Sequence, residues 1–142
     1  MTQKNPLRVI TLHRPWAWAV AHLGKDIENR TWVCPIQPGQ PLAIHAGKKW
    51  DADGADWIMR QGFSLPPKDD HPNGIVAIAT FQGNFEASDS RWFFGPVGWA
   101  LTDVVAIAPI DCKGQQGLWT VKEPLLSQVR EAYKLAKNGG AV

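Results

Sequence analysis

Gly24-Lys25-Asp26-Ile27-Glu28-Asn29-Arg30, entered through His13-Arg14-Pro15-Trp16-Ala17-Trp18, is where this chain changes period. Upstream, Trp16, Ala19, Val20 and Leu23 recur at three- and four-residue intervals. Pro15 fits a first helical turn and Gly24 supplies a stop, so the spacing predicts a helix over residues 15–23. From Asp26 the pattern is that of a strand, expected over residues 27–33. Alternation then turns Glu28, Arg30 and Trp32 to one side and Ile27, Asn29 and Thr31 to the other. Lys25 falls in the turn, from which its side chain can fold over either face. Taken alone, Glu28 and Arg30 are a same-face surface pair contributing roughly 0.2–1 kcal/mol. Taken with Lys25 and the neighbouring indoles, they are the makings of a pocket for a flat polar ligand.

Outward from this stretch the chain reads as mostly strands with three helices. Residues 8–12 form a first strand and residues 41–46 a third. Asp51 is a suitable N-cap for a second helix with Ala55, Ile58 and Met59 facing inward and Gly62 closing it. A polar loop, residues 66–74, follows. Residues 74–81 and 97–110 are so continuously apolar that both of their faces should be covered, as in a small barrel with helices packed outside it. A short strand over 118–121 precedes a last helix at about 124–138, opened by Pro124, with Leu126, Val129, Tyr133 and Ala136 on one face and Gly139-Gly140 beyond its end. There is no internal repeat or low-complexity linker. The expected fold is α+β, strand-dominated, with residues 1–142 as a single domain.

Composition narrows the function classes. At 142 residues and 44% hydrophobic content the chain can bury a core without metal or disulfide staples. Cys34 and Cys112 are too few and too isolated for a disulfide framework or a zinc site, which points to a reducing, cytoplasmic setting. The apolar run at Val9 and Ile10 is broken by His13, Arg14 and Pro15, unlike a signal peptide, and no segment approaches the ~20 apolar residues of a membrane span. With a formal net charge of +2, nucleic-acid contact should be confined to one site or loop. Asp69, Asp70 and His71 lack a matching second cluster and are read as loop surface, so neither metal nor cofactor is expected. Gly-x-Ser-x-Gly, His-Glu-x-x-His and Gly-x-x-x-x-Gly-Lys are all missing, which removes the common hydrolase and nucleotidase signatures.

Four ordered motifs carry a family resemblance. His13-Arg14-Pro15-Trp16, the Gly24-Lys25-x-x-Glu28-x-Arg30 core, Leu42-Ala43-Ile44-His45-Ala46 followed by Gly47-Lys48, and Phe94-Gly95-Pro96-x-Gly98-Trp99-x-Leu101 resemble the ASCH domain (activating signal cointegrator homology domain) of the PUA-like superfamily, from about residue 8 to residue 121. The resemblance implies a PUA-like small mixed β-barrel with peripheral helices and a cleft beside the first helix suited to RNA or a modified nucleotide. The family is thought to include binders and hydrolases. In an amidohydrolase subgroup acting on acylated cytidine, a threonine nucleophile stands three residues after the lysine. Here that position is Glu28.

The residues make their own case for such a ligand. A planar base needs an aromatic wall, worth ~1–3 kcal/mol per stacked base, and edge-reading hydrogen bonds. Pro15 and Trp16 open the first helix, with Trp18 and Trp32 within reach; Lys25, Glu28, Asn29 and Arg30 offer donors and acceptors. Lys48 and Lys49, after Gly47, suit a phosphate or a solvated loop. Trp99 and Trp119 lie in apolar strands and are read as core, and Trp50 and Trp57 as packing around the second helix. Trp92-Phe93-Phe94, before Gly95-Pro96, forms either a ligand wall or a mini-core under its loop. The expected ligands are RNA, another single-stranded nucleic acid or a modified nucleoside. Two alternatives stand beside a binding module. One is a hydrolase, amidohydrolase or ribonuclease, using Lys25, Glu28 and His45. The other is a protein-interaction module using Trp92 and Phe93.

Overall fold

The structure is a computed structural model that describes residues 6–139. β1 (Arg8–Arg14) leads into α1 (Trp16–His22) and β2 (Ile27–Arg30); β3 (Pro41–Trp50) is followed by α2 (Ala52–Arg60) and a 3-10 turn at Lys68–Asp70. β4 (Gly74–Phe85), β5 (Val97–Ile110), β6 (Leu118–Thr120) and α3 (Leu125–Gly139) complete the order. Among the described residues the strands form one six-stranded mixed sheet in the order β2-β5-β4-β3-β1-β6, with three α-helices, a strand-rich α+β arrangement. β1 runs parallel to β3, with Val9 opposite Ala43 and Ile10 opposite Ile44. The remaining pairings are antiparallel.

Alternation along the central strands divides the core between two faces. Ile10, Leu12, Leu42, Ile44, Phe81 and Trp99 pack with Ala17 and Val20 of α1. Val9, Ala43, Ile75, Ile107 and Trp119 pack with Val129 of α3. Residues 74–81 of β4 are thus covered on both sides, as their continuous apolar run predicts, and residues 42–46 of β3 are buried with them. β5 departs from that expectation: Thr102, Asp103, Ala108 and Pro109 are exposed. Its irregular register with β4 carries these positions off the covered surface.

Several boundaries differ from the sequence reading. β3 continues through Gly47 and Lys48 to Trp50 because β1 also continues, pairing Arg14 with Trp50. The Arg14 guanidinium donates to the Lys48 carbonyl at 2.6 Å. Those residues therefore form a strand and not a loop. β2 stops at Arg30, opposite Val97 where β5 begins, so residues 31–33 have no strand partner. Pro15 is the N-cap residue of α1. Asp51 caps α2 as expected, accepting from the Gly54 N–H, while Met59 is exposed rather than inward. α3 begins at Leu125 and includes Gly139; Gly140 lies outside the described residues. Among the described residues no helix is long and apolar enough to cross a membrane.

Candidate functional site

Gly24, at a φ of +78°, ends α1 in a backbone conformation that side chains disfavour. The chain then turns so that Lys25 folds inward and is only 2% exposed. Its ammonium donates to the Ile27 carbonyl and to Glu28 Oε1, the latter at 3.2 Å. Glu28 Oε2 accepts from Arg30 Nε at 2.8 Å, and Arg30 Nη2 donates to the Thr11 carbonyl at 3.0 Å. One carboxylate is therefore held between two cations, and the second cation is tied to β1. The pair expected from strand alternation is present, and Lys25 converts it from a surface contact into a buried network. Burying an ion pair is costly unless the remaining donors and acceptors find partners. The two carbonyls supply part of that compensation.

Above this network lies a cleft of about 520 Å³, lined by Thr11, Leu12, His13, Trp16, Lys25, Glu28, Asn29, Arg30, Thr31, Trp32, Asp51 and Phe94. Trp16, Trp32 and Phe94 give it aromatic surface, with Trp16 and Phe94 edge-to-face at 6.2 Å. The Lys25 ammonium sits 5.7 Å from the Trp16 ring centroid. Trp16 Nε1 donates to Asp51 Oδ2 at 2.8 Å. That bond and the Gly54 N–H hold the Asp51 carboxyl below its ordinary range. Lys25 and Arg30 are matched in number by Glu28 and Asp51, so the formal charges of these four lining side chains cancel. A neutral polar edge suits this balance better than a phosphate does.

The structure brings together six of the sequence-predicted residues, Trp16, Lys25, Glu28, Asn29, Arg30 and Trp32, and places the others elsewhere. Pro15 is buried at the head of α1. His45 is 3% exposed, with Nε2 bonded to the Cys112 carbonyl at 2.8 Å and its ring edge-on to Trp119. It lies in β3 with its ring against Trp119 and does not line the cleft that holds Lys25. Lys48 points from an exposed strand position and is likewise absent from the lining. Trp92, at 4% exposure, is stacked on Phe63, and Phe93 packs against the same cluster. The aromatic loop thus splits, with Trp92 and Phe93 in a mini-core and Phe94 in the cleft wall. Trp18 turns away toward His22 and His71, at ring separations of 4.1 and 5.5 Å.

Asp51 and the Thr11–Leu12 segment are lining groups that sequence reasoning did not assign, whereas Phe94 belongs to the aromatic loop read as either wall or mini-core. Asp51 carried a signal, since a cap lies where helix and cleft meet, but nothing in the spacing joins it to Trp16. His71, read as loop surface, is 4% exposed. Its Nε2 faces the Pro66 carbonyl at 3.0 Å, and burial first, then the charge of Arg14, helps hold its pKa below the usual value. Among the described residues no group of histidine, cysteine and carboxylate side chains is arranged to hold a metal ion.

Fold and cleft together define a strand-rich α+β domain whose aromatic-walled cleft has a charge-paired floor. No family model matches the chain, and no curated protein matches it.

Proposed function

We propose that this chain is a nucleic-acid- or nucleoside-binding module of the ASCH type, RNA favoured, with its sheet and peripheral helices corresponding to the PUA-like barrel. The observation that carries the reading is the Lys25–Glu28–Arg30 network at the base of a cleft walled by Trp16, Trp32 and Phe94. The rings offer stacking faces and the network offers fixed donors and acceptors at a base edge, the two components that recognition of an unpaired base requires. Cancelling charges favour a base or nucleoside over a phosphate grip. Two free cysteines fit a reducing cytosol as the setting.

Titration with single-stranded RNA and with unmodified and modified nucleosides, followed by tryptophan fluorescence, tests this. Saturable quenching that weakens at least tenfold in Arg30→Ala is expected. Absence of quenching by every nucleoside and RNA would reject it.

A hydrolase is the second reading, supported by Thr31 and Lys25 lining the same cleft. Chromatography of acylated cytidines or short RNA after incubation decides it, and intact substrate counts against the enzyme. An interaction module would have to use Phe93 and Phe94 rather than Trp92, which is buried.

A further inference from the structure

Asn29 lies in β2, opposite Gly98 of β5, on the face away from Glu28 and Arg30. Its amide is spent on the loop that precedes β5. Nδ2 donates to the Trp92 carbonyl at 2.9 Å, and Oδ1 accepts from the Phe94 N–H at 2.7 Å and the Gly95 N–H at 3.0 Å. A side-chain amide has two N–H donors and two lone pairs. Three of these four valences are satisfied by backbone, which leaves little with which to read a ligand. The same three bonds fix the loop where it divides its aromatics, Trp92 inward against Phe63 and Phe94 outward into the cleft beside Trp16 and Trp57. Phe94 is 53% exposed, so packing alone constrains it weakly.

We propose that Asn29 is a positioning residue whose latch on the backbone of residues 92–95 holds Phe94 as the outer wall of the binding cleft. This rests on the cleft being the ligand site. Without the latch, residues 93–95 lose their fixed backbone and the ring must be ordered at each binding event, at an entropic cost the intact protein has already met on folding. Asn29 lines the cleft, but its effect on affinity then runs chiefly through the position of Phe94.

The test measures nucleoside and RNA affinity, together with urea stability, for wild type, Asn29→Ala, Asn29→Asp, Phe94→Ala and the Asn29→Ala/Phe94→Ala double variant. Asn29→Ala and Phe94→Ala should each weaken binding about tenfold, and the double variant should bind no worse than Phe94→Ala alone. Asn29→Asp keeps both acceptor bonds and should recover part of the loss. Unchanged affinity in Asn29→Ala, or losses that multiply in the double variant, would overturn the proposal. Amide hydrogen exchange in the wild type needs no variant to fold. Slow exchange at both Phe94 and Gly95 supports the latch, and rapid exchange at either refutes it. If the wild type binds neither RNA nor nucleosides while both amides are protected, the binding reading fails and the latch stands as a loop anchor only.

Discussion

The Trp16 indole N–H and the Asp51 carboxylate meet at 2.8 Å, joining the wall of the cleft to the cap of the helix behind it. Asp51 spends its other oxygen on the Gly54 N–H, so one side chain both starts α2 and sets the orientation of an aromatic ring on α1. Asp51→Ala should therefore lose about 1–2 kcal/mol of stability in urea titration, more than a surface substitution, and should weaken quenching by bound nucleosides. Because these bonds lower the folded-state pKa of Asp51 beneath its ordinary 3.8, their stabilisation is present above that value. It is lost as pH falls through the lower folded pKa. Tryptophan emission followed downward from pH 5 should shift in the wild type over that window, and the shift should shrink in Asp51→Asn.

Gly54 packs directly beneath the Trp16 indole, where an added Cβ would stand 2.6 Å from Cζ2. Replacing glycine with alanine within a helix ordinarily stabilises by about 0.5–1 kcal/mol. Here the ring must shift, so Gly54→Ala should destabilise by about 1–3 kcal/mol instead. Its near-ultraviolet circular dichroism should change with it, and a stabilised variant would show that the ring yields freely.

Glu28→Gln leaves the buried Lys25 ammonium without its carboxylate and is expected to cost about 3–5 kcal/mol. Lys25→Met should cost less, because Glu28 retains Arg30 at 2.8 Å. In a double-mutant cycle by chemical denaturation, adding Lys25→Met to Glu28→Gln should restore a substantial part of the stability.

His71 has a folded pKa held below 6.5 by burial first, so the native state favours its neutral form. Its contribution is intact above pH 6.5 and declines as pH falls below that value, where the unfolded chain binds the proton more readily. His22, also lowered by burial, acts in the same direction. Urea midpoints between pH 7.5 and 5.5 should fall, and His71→Gln should flatten the slope by at most about 1.4 kcal/mol per pH unit.

What the sequence made legible was local. The change of period at Gly24, the Asp51 cap, the apolar run of β4 and the meeting of Lys25 with Glu28 and Arg30 all follow from spacing within a few residues. What it concealed depends on pairing between distant segments. Gly47 looked like punctuation, yet β3 runs through it because β1 lies alongside as far as Arg14. His45 looked available for chemistry, but the Cys112 carbonyl claims its Nε2 from a segment 67 residues away. Trp92 and Phe94, two positions apart in one loop, end on opposite sides of a boundary drawn by Asn29, which no periodicity announces.

β2 is contiguous in sequence with Lys25 and α1, which makes the motif look like a portable cassette. Its backbone is nevertheless completed by β5, distant in sequence, with Ile27 opposite Ala100 and Arg30 opposite Val97. A synthetic peptide spanning residues 13–32 would keep every charge of the motif yet lack that template, the Asp51 anchor and the Phe94 ring. The cleft is a property of the assembled sheet, and grafting the short signature onto another scaffold would transfer its letters without its walls.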